Sequence, residues 1–361
     1  MKITNKEVLE KFTHFINSIS SEDKVCVLHD TDMDGMTAGV LAKKGLQELR
    51  IEPAIVTPLY HGERSITLDF AQRLIDNGIT VLIAVDIPLE SYEGIELLSE
   101  LRVMVIDHHP IEKEYSGITV IKPQLMELDL DPSRICAANL VYNLFNSVID
   151  MEEWDWLTAL GIMADSTYST EKDFVDMVLV KNGNKVLDDV FATDFARAVS
   201  YGTYADCVGG ADAYDKLFAA LDTSSDYKAV ISKLTEFASV EKEVNKLLRD
   251  FDKKKEELDN DLVFYEITAK YRVNSIVSTI LSHKRVPDKT LVVAEKRDDD
   301  YKISGRRQDM KVHVGDMFRS CVKGLEDSNG GGHRPASGGR VLKKDYETFK
   351  KRAIEWVKNN G

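Results

Sequence analysis

Val25-Cys26-Val27-Leu28-His29-Asp30-Thr31-Asp32-Met33-Asp34-Gly35 joins an apolar, β-branched run to a dense string of carboxylates. The first part reads as a buried strand and the rest as the loop that leaves it. Carboxylates this close repel one another in a folded chain unless cations lie among them. The pattern returns as Asp86 after Val81-Leu82-Ile83-Ala84-Val85, as Asp107-His108-His109 after Val103-Met104-Val105-Ile106, and as Asp165.

Around that stretch, short β-branched runs alternate with longer amphipathic ones. Val25 to His29, Ala54 to Thr57, Thr80 to Asp86, Val103 to Asp107 and Ile118 to Ile121 read as strands. Met36 to Leu49, Leu68 to Asn77 and Tyr92 to Leu101 have helical spacing. Such alternation implies βαβ units: an α/β fold with a doubly wound parallel sheet and helices on both faces. Ligands of these sheets bind at the loops leaving the carboxyl ends of the strands, where three of the acidic motifs fall.

Residues 136–165 read as helical, with Asp165 near the end of the second run, while 170–225 permit no secure assignment. From Val230 to Leu258, Ile231, Leu234, Phe237, Val240, Val244, Leu247 and Phe251 recur every three or four positions. The spacing predicts one long amphipathic helix, a connector, with a coiled-coil dimerisation helix as the rival reading. Two strand-like runs follow at Val263 to Ile267 and Thr290 to Ala294. Tyr301 to Ser304 then leads into Gly305-Arg306-Arg307, and a helix-like segment near Met317 to Leu325 is interrupted by Asn329-Gly330-Gly331-Gly332-His333. The expected organisation is a catalytic domain over 1–185, a helical connector over 186–260 and a smaller α/β domain over 261–361, with the active site in the cleft between the two domains. A chain of 361 residues, 43% hydrophobic, has enough apolar side chains for two cores.

The net charge of -14 argues against a protein that coats duplex DNA by bulk attraction. It is unevenly spread: 261–361 carries 21 Lys and Arg against 14 Asp and Glu, and 1–260 carries 26 against 47. An acidic first part and a basic last part suit a metal site and an anion-binding surface. Cys26, Cys136, Cys207 and Cys321 lie far apart, with no C-x-x-C pair, so neither a zinc ribbon nor a disulfide framework is indicated. With no apolar signal core at the start and no run of about 18 apolar residues, the expected setting is cytoplasmic and not membrane-bound.

Residues i and i+2 leaving a strand can turn toward one crevice, so Asp32 and Asp34 can serve different ions. The run Asp30-x-Asp32-x-Asp34-Gly35 also mimics the opening of an EF-hand loop, but its twelfth position is Leu41 where a bidentate Glu belongs, and a strand precedes it. A single strand-end Asp is more often a turn former or helix cap. Three on adjacent strand ends would crowd one crevice, which favours metal. In the last part, Gly330 to Gly332 would let backbone N–H groups turn inward as an anion nest, with His333 and Arg334 adding charge. Arg306 leaves a strand nearby in sequence. His61 reads as a surface-loop residue, and His14, His283 and His313 sit in no motif.

Taken together, these residues resemble the DHH phosphoesterase superfamily, named for the triplet that stands at Asp107-His108-His109. Its four motifs occur in order: the loop from Asp30 to Gly35, Asp86, the triplet, and Asp165 closing Gly161-Ile162-Met163-Ala164-Asp165. Residues 304–340, with Ser304-Gly305-Arg306 and Gly330-Gly331-Gly332-His333, resemble the DHH-associated C-terminal domain of RecJ-type exonucleases and nanoRNases. The resemblance implies two divalent ions, Mn2+ or alternatively Mg2+, bridged by one carboxylate. By position Asp32 would bind the first ion, Asp34 the second, and Asp86 would bridge them. His108 and Asp165 would complete the second site, and Asp30 or, alternatively, His29 would help hold the first ion. His109 would face the phosphate, while Arg306, Gly331, Gly332 and His333 would bind it; Arg307, which the resemblance does not cover, reads as a helper only from its place beside Arg306.

The implied activity is a RecJ-like exonuclease acting on single-stranded DNA or RNA or short oligonucleotides, in DNA repair or replication, with a replication or repair protein as partner. Cleavage of cyclic or linear dinucleotides and a non-catalytic replication scaffold are the alternatives. Family II inorganic pyrophosphatase fits less well, because its C-terminal domain lacks the G-G-G-H loop.

Overall fold

Lys6–Asn17 forms the first helix, α1, capped by Asn5, whose side chain accepts the Val8 amide at 3.1 Å. The computed structural model describes residues 3, 5–59, 66–87, 97–109, 111, 117–126, 128, 130–259 and 261–360. They form two compact units, Met1–Phe237 and Ala238–Gly361. The segment 186–260 divides between them, its residues up to Phe237 packing with the first.

The first unit continues through β1 (Val25–His29), α2 (Met33–Glu48), β2 (Ile55–Pro58), α3 (Leu68–Asp76), β3 (Val81–Val85), β4 (Arg102–Ile106) and β5 (Thr119–Ile121). The strands form one parallel sheet in the order β2-β1-β3-β4-β5. Every residue of β1 and β3 is buried, as strands covered on both faces must be. Cys26, Leu28, Leu82, Ala84, Val103 and Val105 pack with Phe70, Ala71 and Leu74 of α3. The opposite face, carried by the alternate residues, takes α2 against β1 and β3. Strand register aligns the acidic motifs. His29 pairs with Val85 and Val85 with Ile106, so Asp30, Asp86 and Asp107 leave the sheet side by side.

Six helices complete this unit: α4 (Ala137–Phe145), α5 (Asp155–Ala164), α6 (Lys172–Lys181), α7 (Asp194–Val208), α8 (Ala211–Asp222) and α9 (Tyr227–Lys233). Both α4 and α5 pack on α2 and on each other. Three of these helices occupy the stretch that carried no secure assignment. The helix expected over Tyr92 to Leu101 lies partly outside the described residues, and its described part, Leu97–Glu100, is a 3-10 turn.

In the second unit, α10 (Ala238–Lys254), β6 (Glu256–Asp259), β7 (Leu262–Ile267), α11 (Asn274–Lys284), β8 (Thr290–Lys296), β9 (Asp300–Arg306), α12 (Val314–Val322), β10 (Asn329–Gly332), β11 (Ala336–Leu342) and α13 (Tyr346–Asn360) build a mixed sheet. Its order is β10-β11-β9-β8-β7-β6, with only β7 and β8 parallel among the described pairs. Phe264, Val292, Ala294 and Ile303 face Met317, Phe318 and Phe349 of α12 and α13. Tyr265, on the alternate face, meets Phe251 edge-on and donates its hydroxyl to the Leu247 carbonyl of α10 at 2.8 Å.

The single helix expected from Val230 to Leu258 is instead two helices and a strand. The Leu234 amide donates to both Val230 and Ile231 carbonyls, and a 3-10 turn at Thr235–Phe237 separates α9 from α10. Such a turn advances three residues per revolution, so buried Leu234 and Phe237 keep the apolar spacing across the break. Leu258 belongs to β6, which pairs with β7. Among the described residues no helix is long and apolar enough to cross a membrane.

Candidate metal centre

The loop after β1 is shaped by two glycines of α2. A Cβ on Gly35 would lie 2.7 Å from the Asp30 Cβ, and one on Gly39 would lie 2.6 Å from the His29 ring. Helix and strand end can approach this closely only because those side chains are absent. Asp32 caps α2, its carboxylate accepting the Gly35 amide at 2.9 Å. Asp30 accepts the Thr31 amide at 2.5 Å. His29 is fully buried, stacks on Phe218 at 5.1 Å, and has its Nδ1 2.7 Å from the Asp30 carbonyl, while its buried Nε2 has no hydrogen-bond partner among the described residues. Burial holds the imidazole down at about 4, so it is neutral and its Nδ1 donates.

Asp86 follows β3 with φ at 58°, a left-handed conformation that Asp tolerates better than most residues. Its side chain is buried, and Oδ1 has no hydrogen-bond partner among the described residues. That oxygen lies 3.4 Å from His108 Nε2 and 3.8 Å from His109 Nδ1. Asp107, the first residue of the triplet, is fully buried and points elsewhere: Oδ1 is 2.8 Å from His109 Nδ1, and Oδ2 is 2.8 Å from Lys122 Nζ. The imidazole and the ammonium outweigh burial and hold this carboxyl at about 2.

Asp34 reaches across to α4, accepting the Ala137 and Ala138 amides at 2.8 and 2.9 Å. It thus serves as a helix N-terminal acceptor 103 residues away in sequence. Gly161 on α5 permits the approach, since a Cβ there would be 2.6 Å from Thr37 Oγ1 and 3.1 Å from Asp34 Oδ1. Asp165, at the end of α5, lies 3.9 Å from His108 Nδ1, a buried nitrogen with no hydrogen-bond partner among the described residues.

Three overlapping groups result, each able to bring one donor atom apiece to within 4.8 Å of the others: Asp30, Asp32 and Asp86; Asp34, His108 and Asp165; Asp86, His108 and His109. Burial, with Asp32 beside it, raises Asp30 to about 7; burial, with Asp34 beside it, raises Asp165 to about 7. Burial and the carboxylates of Asp34 and Asp32 push Asp86 far above the ordinary range. These carboxylates cannot all ionise at neutral pH without cations among them. Hard oxygen donors plus the imidazoles of His108 and His109, with orphaned buried atoms on His29, Asp86 and His108 among the described residues, fit Mn2+ or Mg2+. His29 belongs to none of the groups.

In the second unit, the half-buried Arg306 is held by neutral acceptors: Ser275 Oγ at 3.0 Å, the Gly305 carbonyl at 2.9 Å, Thr279 Oγ1 and the Ser337 carbonyl at 3.3 Å. Arg307 is not a helper. Its guanidinium is buried and committed to Asp309 at 2.5 and 2.9 Å and to Asp261 at 3.3 Å. The glycine triplet is an edge strand in an antiparallel ladder and not a wound nest. Packing against α12 explains these glycines: a Cβ on Gly330 would sit 3.2 Å from Phe318, and one on Gly315 would be 2.2 Å from the Gly332 carbonyl. Gly331 passes 3.6 Å from Arg319, measured from the same hypothetical Cβ position, and exposed His333 donates its amide to the Ala336 carbonyl at 2.8 Å. His313 caps α12, His14 and His283 are exposed on α1 and α11, and His61 lies outside the described residues. Sequence reasoning missed Lys122. Its only signal was a cation directly after a strand, Ile121-Lys122-Pro123.

Residues 24–180 match the N-terminal domain of the DHH family, and residues 262–359 match the DHHA1 domain. The single-stranded-DNA-specific exonuclease RecJ of Haemophilus influenzae is 23% identical over 168 residues, covering 45% of this chain and 28% of that protein. RecJ of Thermus thermophilus in complex with Mn2+ superposes with a TM-score of 0.73 at 16% identity, over 99% of this chain and 56% of that one. An exonuclease RecJ bound to manganese gives 0.67 at 18% identity, over 97% and 94%. At these identities the likeness shows a shared fold, and the chain spans only part of the length of the Haemophilus and Thermus proteins. The two domain matches, in order and on separate units, account for most of the described chain, which belongs to the DHH phosphoesterase family.

Proposed function

We propose that this protein is a divalent-metal-dependent phosphodiesterase that hydrolyses single-stranded DNA or RNA, or short oligonucleotides, to mononucleotides in the manner of a RecJ-like exonuclease. The observation that carries the reading is Asp86, a buried residue held at φ 58° that is common to two donor groups and whose Oδ1 has no hydrogen-bond partner among the described residues. In this reading Asp30 and Asp32 hold one ion, Asp34, His108 and Asp165 hold the other, and Asp86 serves both. Two divalent ions so placed supply charge neutralisation at a phosphoryl group and an activated water.

The chain's own residues do the rest. With its Nδ1 on Asp107, His109 keeps Nε2 for a phosphate oxygen. Arg306, with a guanidinium among neutral partners, is suited to a charge-assisted contact with phosphate. Gly331, Gly332 and His333 would flank that phosphate along the edge strand. The acidic balance supports short single strands, or a replication or repair protein that supplies additional grip. Four buried cysteines, none of them in a disulfide among the described residues, suit a reducing cytoplasm.

The experiment is product analysis of end-labelled single-stranded DNA, RNA, a linear dinucleotide and a cyclic dinucleotide, with Mn2+ and with chelator. Mononucleotides released from the single strands only with Mn2+, and lost in Asp86→Asn, are expected. Turnover of dinucleotides alone would replace the exonuclease with the dinucleotide phosphodiesterase. Mn2+ binding without turnover of any substrate would leave the non-catalytic scaffold.

A further inference from the structure

Beneath the carboxylates stands one fully buried cation with no place in the hydrolytic scheme. Lys122, the first residue after β5, is 0% exposed. Its Nζ lies 2.8 Å from Asp107 Oδ2 and donates to the His109 carbonyl at 3.1 Å. Asp107, also 0% exposed, places its other oxygen 2.8 Å from His109 Nδ1. Two residues further on, Gln124 Nε2 donates to the His108 carbonyl at 3.0 Å. The segment after β5 therefore grips both histidine carbonyls and the carboxylate that orients His109.

A charge is needed at this position. A neutral, apolar side chain at 122 would leave Asp107 a buried anion balanced by His109 alone, and would release the His109 carbonyl. An imidazole is aimed by whatever its far nitrogen binds, so the hold on Asp107 fixes which nitrogen of His109 faces outward. We propose that Lys122, assisted by Gln124, is a positioning residue: it clamps the Asp107-His108-His109 turn so that His109 keeps Nδ1 on Asp107 and presents Nε2 to the substrate phosphate. The proposal rests on the hydrolytic reading above.

In Lys122→Gln, kcat on bis(p-nitrophenyl) phosphate with Mn2+ is expected to fall about 10- to 100-fold. KM and Mn2+ affinity stay within about threefold, because the ion-binding carboxylates are untouched. In a His109→Asn background the same substitution changes kcat by less than about twofold, since its route of action is gone. Nitrogen-15 NMR of the histidine side chains shows the His109 Nδ1 hydrogen bond in the wild type and its loss in Lys122→Gln. That readout needs no turnover: a wild type inert on every phosphodiester sinks the hydrolytic reading, while the spectrum still judges the clamp. An equal kcat loss in both backgrounds, a tenfold loss of Mn2+ affinity, or an unchanged His109 spectrum overturns the proposal. If Lys122→Gln does not fold, Lys122→Met combined with Asp107→Asn removes both charges and is expected to fold with the Nδ1 bond weakened. Failure of that pair to fold as well would make Lys122 a folding determinant and overturn the positioning role.

Discussion

Replacing Asp30 by Asn should stabilise the metal-free protein and weaken its response to metal. Burial and Asp32 raise the Asp30 carboxyl from 3.8 to about 7. The folded state therefore retains a proton that the unfolded chain releases between those values, and stability falls as pH rises through that window. A shift of roughly three units at about 1.4 kcal/mol each sets an upper bound of about 4 kcal/mol. Because the repulsion is shared among coupled carboxylates, one substitution should recover about half, ~2 kcal/mol. For a unit of this size that is a rise in melting temperature of about 4–8 °C in EDTA at pH 8. At pH 4 the advantage should vanish, since wild-type Asp30 is then protonated in the folded state. Asn keeps the oxygen that accepts the Thr31 amide, so the loop is not otherwise disturbed. Saturating Mn2+ should reverse the order, since ligand at a hundredfold over its Kd adds about 2.7 kcal/mol to whichever protein binds it well. Calorimetric melts of both proteins at pH 4, 5.5, 7 and 8, with EDTA and with Mn2+, provide the assay. An Asp30→Asn protein that melts below wild type in EDTA at pH 8, or whose advantage is the same at pH 4 and 8, would refute the argument.

Neighbouring arginines should part company. Arg307→Met removes the buried guanidinium that the solvent-accessible Asp309 and Asp261 share and should cost about 1.5–3 kcal/mol in denaturant melts, whereas Arg306→Met should leave stability within about 1 kcal/mol and raise KM for a phosphodiester. Gly332→Ala should destabilise the second unit by about 2 kcal/mol or more, because its φ is 142° and a Cβ would lie 2.6 Å from the Ala336 carbonyl; an unchanged melting curve would contradict this. Asp222, opposed by burial but overcome by Lys43 and Lys44, has a lowered carboxyl pKa. Its contribution is fully present above the unfolded value near 3.8 and is lost as pH falls through the lower folded value. Asp222→Asn should accordingly melt below wild type at pH 7 and converge with it as pH falls through the lowered folded value, as read by circular dichroism.

The sheet and the carboxylates along its edge were legible from local chemistry. Five short apolar runs separated by amphipathic ones admit few folds but a parallel sheet, and residues that follow such runs must emerge at the carboxyl edge. Asp30, Asp86 and the triplet could thus be placed together before any contact was known. Positions governed by distant partners could not. The break at Leu234 is invisible to periodicity, because a 3-10 turn preserves the apolar spacing. Arg306 and Arg307 look alike in sequence, yet among the described residues only the second meets carboxylates. Gly330 to Gly332 read as a loop because glycine disfavours strands, but close packing of α12 over the edge strand favours residues without side chains there.

The sequence by itself determined the fold class, the order of the acidic motifs and the demand for cations, since each follows from apolar periodicity and like-charge repulsion along the chain. Only the tertiary structure decided how those groups are held. Strand register set Asp30, Asp86 and Asp107 side by side, and α4 gave Asp34 two amides from across the domain. A lysine buried beneath the triplet took the carboxylate of Asp107 and the carbonyl of His109. Those are long-range contacts, fixed by packing and register, and a linear reading has no term for them.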